Sequence, residues 1–464
     1  MLAITALVLV QTILLALTTG AVAVESIHGS AHPSYSLIRR ASTDGNSSLV
    51  ETAKMSIMTS QRASWEQGTA ATAWMEYDAG GWTVFAGAGT GPPYRPGHIR
   101  HNVPGVPMAV LSMAYHSVSS QDRFGKLAST ITGDENATDG SSLDSASAGE
   151  SVLLASFMAG EVNTSSGFWI EAAERQLQYV LTDALRLRNG AISHRISQLQ
   201  LWSDAIYMLP PFLASYGLYT DNQTLLQMAY DQIRLYRDGM RLHSGAGEGL
   251  WGHVLVSLNG TNKWLDGSAW ATGEGWVAGG ILRTLAAIAQ STFSLQMSSQ
   301  KQDLLIWTRE ILDAAYPFLD SSHALFHNHV NDTSTFLDSA GSAFIAYATF
   351  RLAAMDSGND RHVADAELIY QAIQNQLTPI GILETPVVNA LSFNNAGETS
   401  PESLSFILLL EAARRDYHAG NVTSIEGPGT SGSANASPKP LSGTTPLTSL
   451  VFVSGAAIVV LLFA

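Results

Sequence analysis

The stretch Leu201-Trp202-Ser203-Asp204-Ala205-Ile206-Tyr207-Met208-Leu209-Pro210-Pro211-Phe212 sets a single carboxyl among Trp202, Tyr207 and Met208 at the entry to a helix. Apolar walls solvate a carboxylate poorly, so the ionised form is disfavoured and the pKa moves up toward the range useful for proton donation. Asp204 is therefore a candidate general acid. The same position suits a plain helix cap, because an aspartate ahead of a helix accepts hydrogen bonds from its first unpaired N–H groups. Flat aromatic faces are the other chemical resource. Among ten Trp residues, Trp65, Trp82, Trp202, Trp251, Trp270 and Trp276 lie beside Gly and polar residues, where they would stack on sugar rings or simply fill the core.

Several other chemistries are excluded by their missing parts. Gly87-Ala88-Gly89-Thr90-Gly91 is followed by Pro92-Pro93 where a phosphate-binding helix would have to begin. The segment 134–150 resembles a calcium loop, but Asp139 stands at the turn position that requires glycine, with Gly140 one place late. His323, His327 and His329 belong to no H-E-x-x-H motif and read as a His-rich helix end. There is no G-x-S-x-G elbow for a serine nucleophile. An acid–base reaction without metal or cofactor is the expectation that remains.

Helices must position these groups. Apolar residues recur at helical spacing in Met108–Tyr115 and Ile281–Ile288, and again near 51–77, 147–160, 167–186, 205–218, 222–240, 299–318, 337–355, 362–377 and 402–416. Strand-like alternation is scarce. About a dozen helices separated by Gly-, Asn- and Asp-rich loops predict an all-α body over residues 45–418, either a closed toroid or a solenoid of helix pairs. A body of that length buries enough core to need no disulfide, and the chain has no cysteine.

The flanks read as processing signals. Leu2–Leu17 is apolar and reaches Ala21-Val22-Ala23, predicting a signal peptide over 1–23. Residues 419–446 are rich in Gly, Ser, Thr, Pro and Asn, and 447–464 form an uncharged apolar tail, the pattern of a lipid (GPI) anchor signal. Asn435 is the expected attachment residue, with Ser433 and Gly432 as competitors. Sequons stand at Asn46, Asn136, Asn163, Asn222, Asn259, Asn331, Asn421 and Asn435. A secreted, N-glycosylated protein on the outer face of the plasma membrane or cell wall is expected. The full chain has 24 basic and 39 acidic residues; losing Lys439 with the tail leaves 23 and 39, a net charge of −16. Nucleic acid is excluded as a partner, because phosphate binding needs clustered Lys and Arg. The expected partners are an oligosaccharide or polysaccharide and, through the anchor, the membrane, with the chain itself a monomer.

The string from Trp202 to Phe212, W-x-D-x-x-Y-M-x-P-P-F, resembles the catalytic segment of the unsaturated glucuronyl and rhamnogalacturonyl hydrolases, glycoside hydrolase families 88 and 105. The likeness extends to Trp65-Glu66-Gln67-Gly68, to Trp270-Ala271-Thr272-Gly273-Glu274-Gly275-Trp276, to Asp338–Ala343 and to Ser400-Pro401-Glu402. It implies a six-hairpin (α/α)6 barrel in which Asp204 is the general acid and base and Asp144 the second aspartate. It also implies substrate-binding roles for His194 and His253, and a cleft walled by Trp65, Trp202, Tyr207, Trp270 and Trp276. Ser147–Glu150 is a capping box as well, so Asp144 also fits a helix entry. The chemistry implied is hydration of the C4=C5 bond left on a uronate by a polysaccharide lyase: a proton adds at C4, water adds at C5, and the hemiketal opens to release the aglycone.

One loop departs from the family. Members acting on uronates carry a basic residue where this chain has Thr272, and Glu274 follows it. Replacing a cation by a hydroxyl beside an acid would weaken uronate binding by on the order of a few kcal/mol. Arg195 and Arg100 are candidates to compensate. Three readings follow: the family activity on pectin-type unsaturated oligosaccharides; a conventional exo-glycosidase pairing Asp204 with Glu274 or Asp144; or a non-catalytic glycan-binding wall protein.

Overall fold

The computed structural model describes residues 43–87, 92, 105–128, 140–161, 167–383, 387–388, 392–397, 400–420, 422 and 424–425. The chain divides into two units, 1–45 and 46–464, and the second carries everything that follows. Signal, tail and the stalk beyond residue 425, with Arg100, Asn136, Asn163, Asn421 and Asn435, lie outside the described residues. Asn222 and Asn259 are exposed and Asn331 is half-buried, while Asn46 lies on a helix.

Thirteen helices run in chain order among the described residues: α1 (Thr43–Ser60), α2 (Ser64–Asp78), α3 (Met108–Ser119), α4 (Gly149–Glu161), α5 (Gly167–Thr182), the single turn α6 (Ala205–Met208), α7 (Pro210–Tyr219), α8 (Gln223–Met240), α9 (Ala271–Gln290), α10 (Ser298–Ala315), α11 (Ser339–Met355), α12 (Val363–Gln376) and α13 (Pro401–Ala419). Composition sorts them into two layers. On α8 and α10 only a stripe is buried, Leu226, Ala229, Ile233, Tyr236 and Met240 on the one and Leu304, Thr308, Ile311 and Ala315 on the other, so these helices face water on their far side. By contrast every residue of α9 is buried.

The six inner helices α2, α4, α7, α9, α11 and α13 each touch the next, and α13 returns to α2. That last contact closes the ring and makes the architecture a toroid, an (α/α)6 barrel, rather than a solenoid. Small residues permit the close approach. A side chain at Gly280 would occupy the space of the Ile206 carbonyl, and one at Gly275 would meet the Phe344 ring. The ring ends on Gly420, whose φ of 66° provides the left-handed cap that terminates α13.

An ionic network, buried except at Asp416, ties the inner helices across the axis. Arg283 on α9 contacts both Glu76 on α2 and Glu150 on α4, and Arg351 on α11 pairs with Glu76 at 2.8 Å and Asp416 on α13 at 2.7 Å. Ser215 on α7 donates to the other oxygen of Glu150 at 2.6 Å. Glu150 is thus a member of this network and not the closing residue of a capping box.

The few strands are short and lie in the loops. An antiparallel sheet joins β1 (Gln200–Trp202), β2 (Val254–Leu258) and β3 (Thr261–Asp266), with Trp202 opposite Val254 and Val254 opposite Asp266. Two further pairs are β4 (Phe326–His327) with β5 (Leu337–Asp338) and β6 (Val387–Val388) with β7 (Ala396–Gly397). Among the described residues no helix is long and apolar enough to cross a membrane.

Candidate active site

The three-stranded sheet assembles the site. Strand β1 delivers Trp202 and, two residues on, Asp204. The Ser203 N–H donates to the His253 carbonyl at 3.0 Å, which fixes His253, the residue before β2, alongside Asp204. The register of β2 with β3 then brings Asp266 to the same end. On the other edge the His194 N–H donates to the Gln200 carbonyl and the Ser142 N–H to the His194 carbonyl, both at 2.8 Å. Asp144, two residues beyond Ser142, is carried to the cleft by that connection.

The resulting cleft has a volume of about 230 Å³. Its walls are Trp65, Trp202, Trp270, Phe393 and Met208, and its polar groups are Asp144, Asp204, Glu402, His194 and Arg195. Trp202 stacks on the His194 ring, centroids 5.0 Å apart and 20° from parallel, and the Arg195 guanidinium lies 5.7 Å from the Trp202 ring centre. Trp270 donates its indole N–H to Asn328 at 3.1 Å, and Asn328 donates to the Phe393 carbonyl at 2.9 Å, so two aromatic walls share one anchor.

His253 sits between two carboxylates, its Nε2 at 3.4 Å from Asp204 and its Nδ1 at 3.0 Å from Asp266. Burial alone would lower its pKa, but the two anions outweigh that and raise it. Burial pushes Asp204 upward, yet the imidazoles of His253 and His194 reverse the sign and hold it below the ordinary carboxylate range. The upward shift expected for Asp204 from its apolar neighbours is therefore corrected: the partner that decides its charge, His253, stands just ahead of a strand about fifty residues later. For Asp266, burial is likewise outweighed by His253 and Ser268, leaving it near about 2. Burial takes His194 down to about 4, so it is neutral at physiological pH; its Nε2 lies 3.5 Å from Asp144. Asp204 makes no cap hydrogen bond to α6, and its side chain faces the cleft.

Four residues expected against the substrate stand elsewhere. Tyr207 and Trp276 are core, packed on each other at 4.8 Å and on Phe344. Thr272 is buried, donating to Asp338 at 3.2 Å. Glu274 is buried too, accepting the Trp251 backbone N–H at 2.8 Å, and burial raises its pKa well above the normal value. It lines no part of the cleft and burial favours its neutral form, which removes the ground for the expected repulsion of a uronate, and the Asp204–Glu274 acid–base pair is not assembled. Of the other expected residues, Trp65, Asp144, His194, Trp202, Asp204 and Trp270 line the cleft, and His253 lies directly behind Asp204.

Sequence reasoning passed over Asp266, Phe393 and the character of Glu402. Glu402 lies in the first turn of α13, and its Oε2 accepts the Trp65 indole N–H at 2.9 Å. Its Oε1 is buried with no hydrogen-bond partner. Burial first, and then the nearby Glu66, raise it to about 8. A lone acid among the apolar residues that open α13 was the available signal. The histidines of the failed metal motif go their separate ways, His323 to Asp320, His327 to the Thr335 carbonyl and His329 to Asn394.

The sequence profile of Glycosyl Hydrolase Family 88 matches residues 121–387, more than half of the chain. No curated protein matches it by sequence. Solved structures do. A possible GH105 family member from Salmonella enterica superposes with a TM-score of 0.61 at 16% identity, covering 82% of this chain and 96% of its own. A possible GH105 member from Klebsiella pneumoniae gives 0.60 at 15% identity, over 86% and 100%. A glycosyl hydrolase family 88 protein from Bacteroides vulgatus gives 0.55 at 12% identity, over 80% and 98%. At such identities the likeness speaks for the fold.

Proposed function

The chain belongs to glycosyl hydrolase family 88 and is a glycoside hydrolase, and from that premise we propose that it removes 4,5-unsaturated uronosyl residues from pectin-type oligosaccharides by hydrating their C4=C5 bond. The observation that carries the reading is Asp204 in the cleft, held ionised by His253, with Arg195 lining the same cleft. An ionised carboxylate against an imidazole is suited to take a proton from the water that attacks C5. Arg195 supplies the cation that Thr272 does not, since a guanidinium pairs with a carboxylate in bidentate geometry. The tryptophan faces accept the sugar rings. The non-catalytic reading falls with the family assignment.

Incubation of the enzyme with lyase-digested pectin or glycosaminoglycan is expected to remove the absorbance of the conjugated uronate. Arg195→Ala is expected to raise KM for that substrate by about tenfold or more, with a smaller effect on a neutral analogue. Hydrolysis of saturated nitrophenyl glycosides with no absorbance change would instead favour a conventional glycosidase pairing Asp204 with Asp144, which share the cleft. We further propose that the reaction takes place outside the cell, on a lipid-anchored enzyme, as supported by the apolar leader 1–23 and the small-residue, apolar C-terminal pattern.

A further inference from the structure

Resting on that reading, we propose that Glu402 is a second catalytic residue, the acid that delivers the proton to C4, so that Asp204 need act only as the base.

Geometry comes first. Glu402 lines the same cleft as Asp204 and Asp144, although it arrives from the opposite end of the chain, on the helix that closes the ring. One of its oxygens is occupied by the Trp65 indole and the other has no protein partner. A buried polar atom is seldom left unpaired in a folded protein, and its desolvation is unfavourable by on the order of 1–3 kcal/mol, so an atom left open beside a cleft points to a partner that arrives with the ligand. Trp65 accounts for the orientation. Its N–H is a donor only, so the oxygen it holds is the acceptor and the proton resides on the free Oε1.

The surroundings keep that proton in place. Helix α13 packs against α2 and α11. From α2 it meets Glu66, which is paired with Arg62 at 2.9 Å; from the head of α11 it meets Asp338, which caps that helix; and across the cleft it meets Asp204. These three are carboxyls and reinforce the burial that already favours the neutral acid; Arg195 is the cation of the same cleft. Asp204 has a histidine on the far side and is driven the other way. Two carboxyls whose environments separate their proton affinities within one site constitute an acid and a base.

The step balances. Glu402 gives its proton to C4 as the C4=C5 π pair becomes the C4–H bond, leaving an oxocarbenium at C5 and O5. Water adds to C5 while its proton passes to Asp204. The C5 hemiketal opens by cleavage of the C5–O5 bond to a C5 ketone, and the hemiacetal left at C1 expels the aglycone as an alcohol. One proton has left Glu402 and one has reached Asp204; exchange with solvent restores both.

Glu402→Gln retains the shape and the Trp65 contact but has no acidic proton. It is expected to lower kcat on a 4,5-unsaturated uronosyl disaccharide by about 100-fold or more with KM within about threefold, and to abolish the alkaline limb of the wild-type pH profile near pH 8. Glu402→Asp is expected to restore part of kcat, and an undiminished melting temperature for both variants shows that the fold persists. Wild-type kcat in Glu402→Gln, or an alkaline limb that stays in place, would overturn the assignment and give that limb to His253. Wild-type enzyme that fails on the unsaturated substrate while cleaving a saturated glycoside overturns the substrate reading instead, and the Glu402 assignment is then decided by the same limb measured on that glycoside.

Discussion

Two groups of buried carboxyls lie in this barrel and are treated in opposite ways. Near the axis, Glu76, Glu150 and Asp416 each contact a guanidinium, and a hydroxyl takes up a remaining oxygen of Glu150. At the cleft, Asp204 has only imidazole for a charged partner at 3.4 Å, and Glu402 has an indole N–H and an open oxygen. Both sites are shielded from water, so an unmatched charge is expensive in either. The difference is completeness: each axial acid meets arginine, which is always charged, whereas the cleft acids have only histidine or tryptophan and remain free to exchange protons.

The sharpest way to break the contrast is Asp204→Asn, which is expected to lower kcat/KM by on the order of 1000-fold while leaving the melting temperature nearly unchanged. Loss of stability in place of loss of rate would put Asp204 in the structural class. Next, Arg283→Met strips Glu150 of its guanidinium and leaves Glu76 to Arg351 alone, and is expected to destabilise the barrel by about 3–5 kcal/mol in chemical denaturation, with kcat per folded molecule preserved.

A third effect is smaller and depends on pH. The proton affinity of Glu402 is higher folded than unfolded, so the stability associated with its proton is fully present below the unfolded value of 4.5 and is lost as pH rises toward about 8. Glu402→Gln removes that dependence, and its thermal stability is expected to pull ahead of wild type progressively between pH 5 and 8. A constant offset would contradict the assignment. Least of all, Trp65→Phe deletes one hydrogen bond, worth about 1 kcal/mol, and is expected to move the alkaline limb upward by less than one pH unit.

The helices of the barrel were readable in the sequence because the apolar period is a local property, as in Ile281–Ile288 of α9. So was the place of Asp204, whose neighbours in sequence are its neighbours in space. Its charge was not, because His253 and Asp266 reach it through a sheet of three-to-six-residue strands whose pairing depends on loops rather than on any alternation. Thr272 and Glu274 misled for a related reason. They sit in the first turn of a helix buried on every face, so a motif that looked like a cleft wall turned its side chains into the barrel.

The bond between Trp65 and Glu402 spans 337 positions of the chain. Synthesis at about 5–20 residues per second separates the two by tens of seconds, and during that interval α2 has no α13 to close against. A nascent chain thus carries the walls Trp65, Trp202 and Trp270 and the base long before it acquires the group assigned as the acid. On that assignment the acid and the base come together only once α13 has been made and has closed against α2.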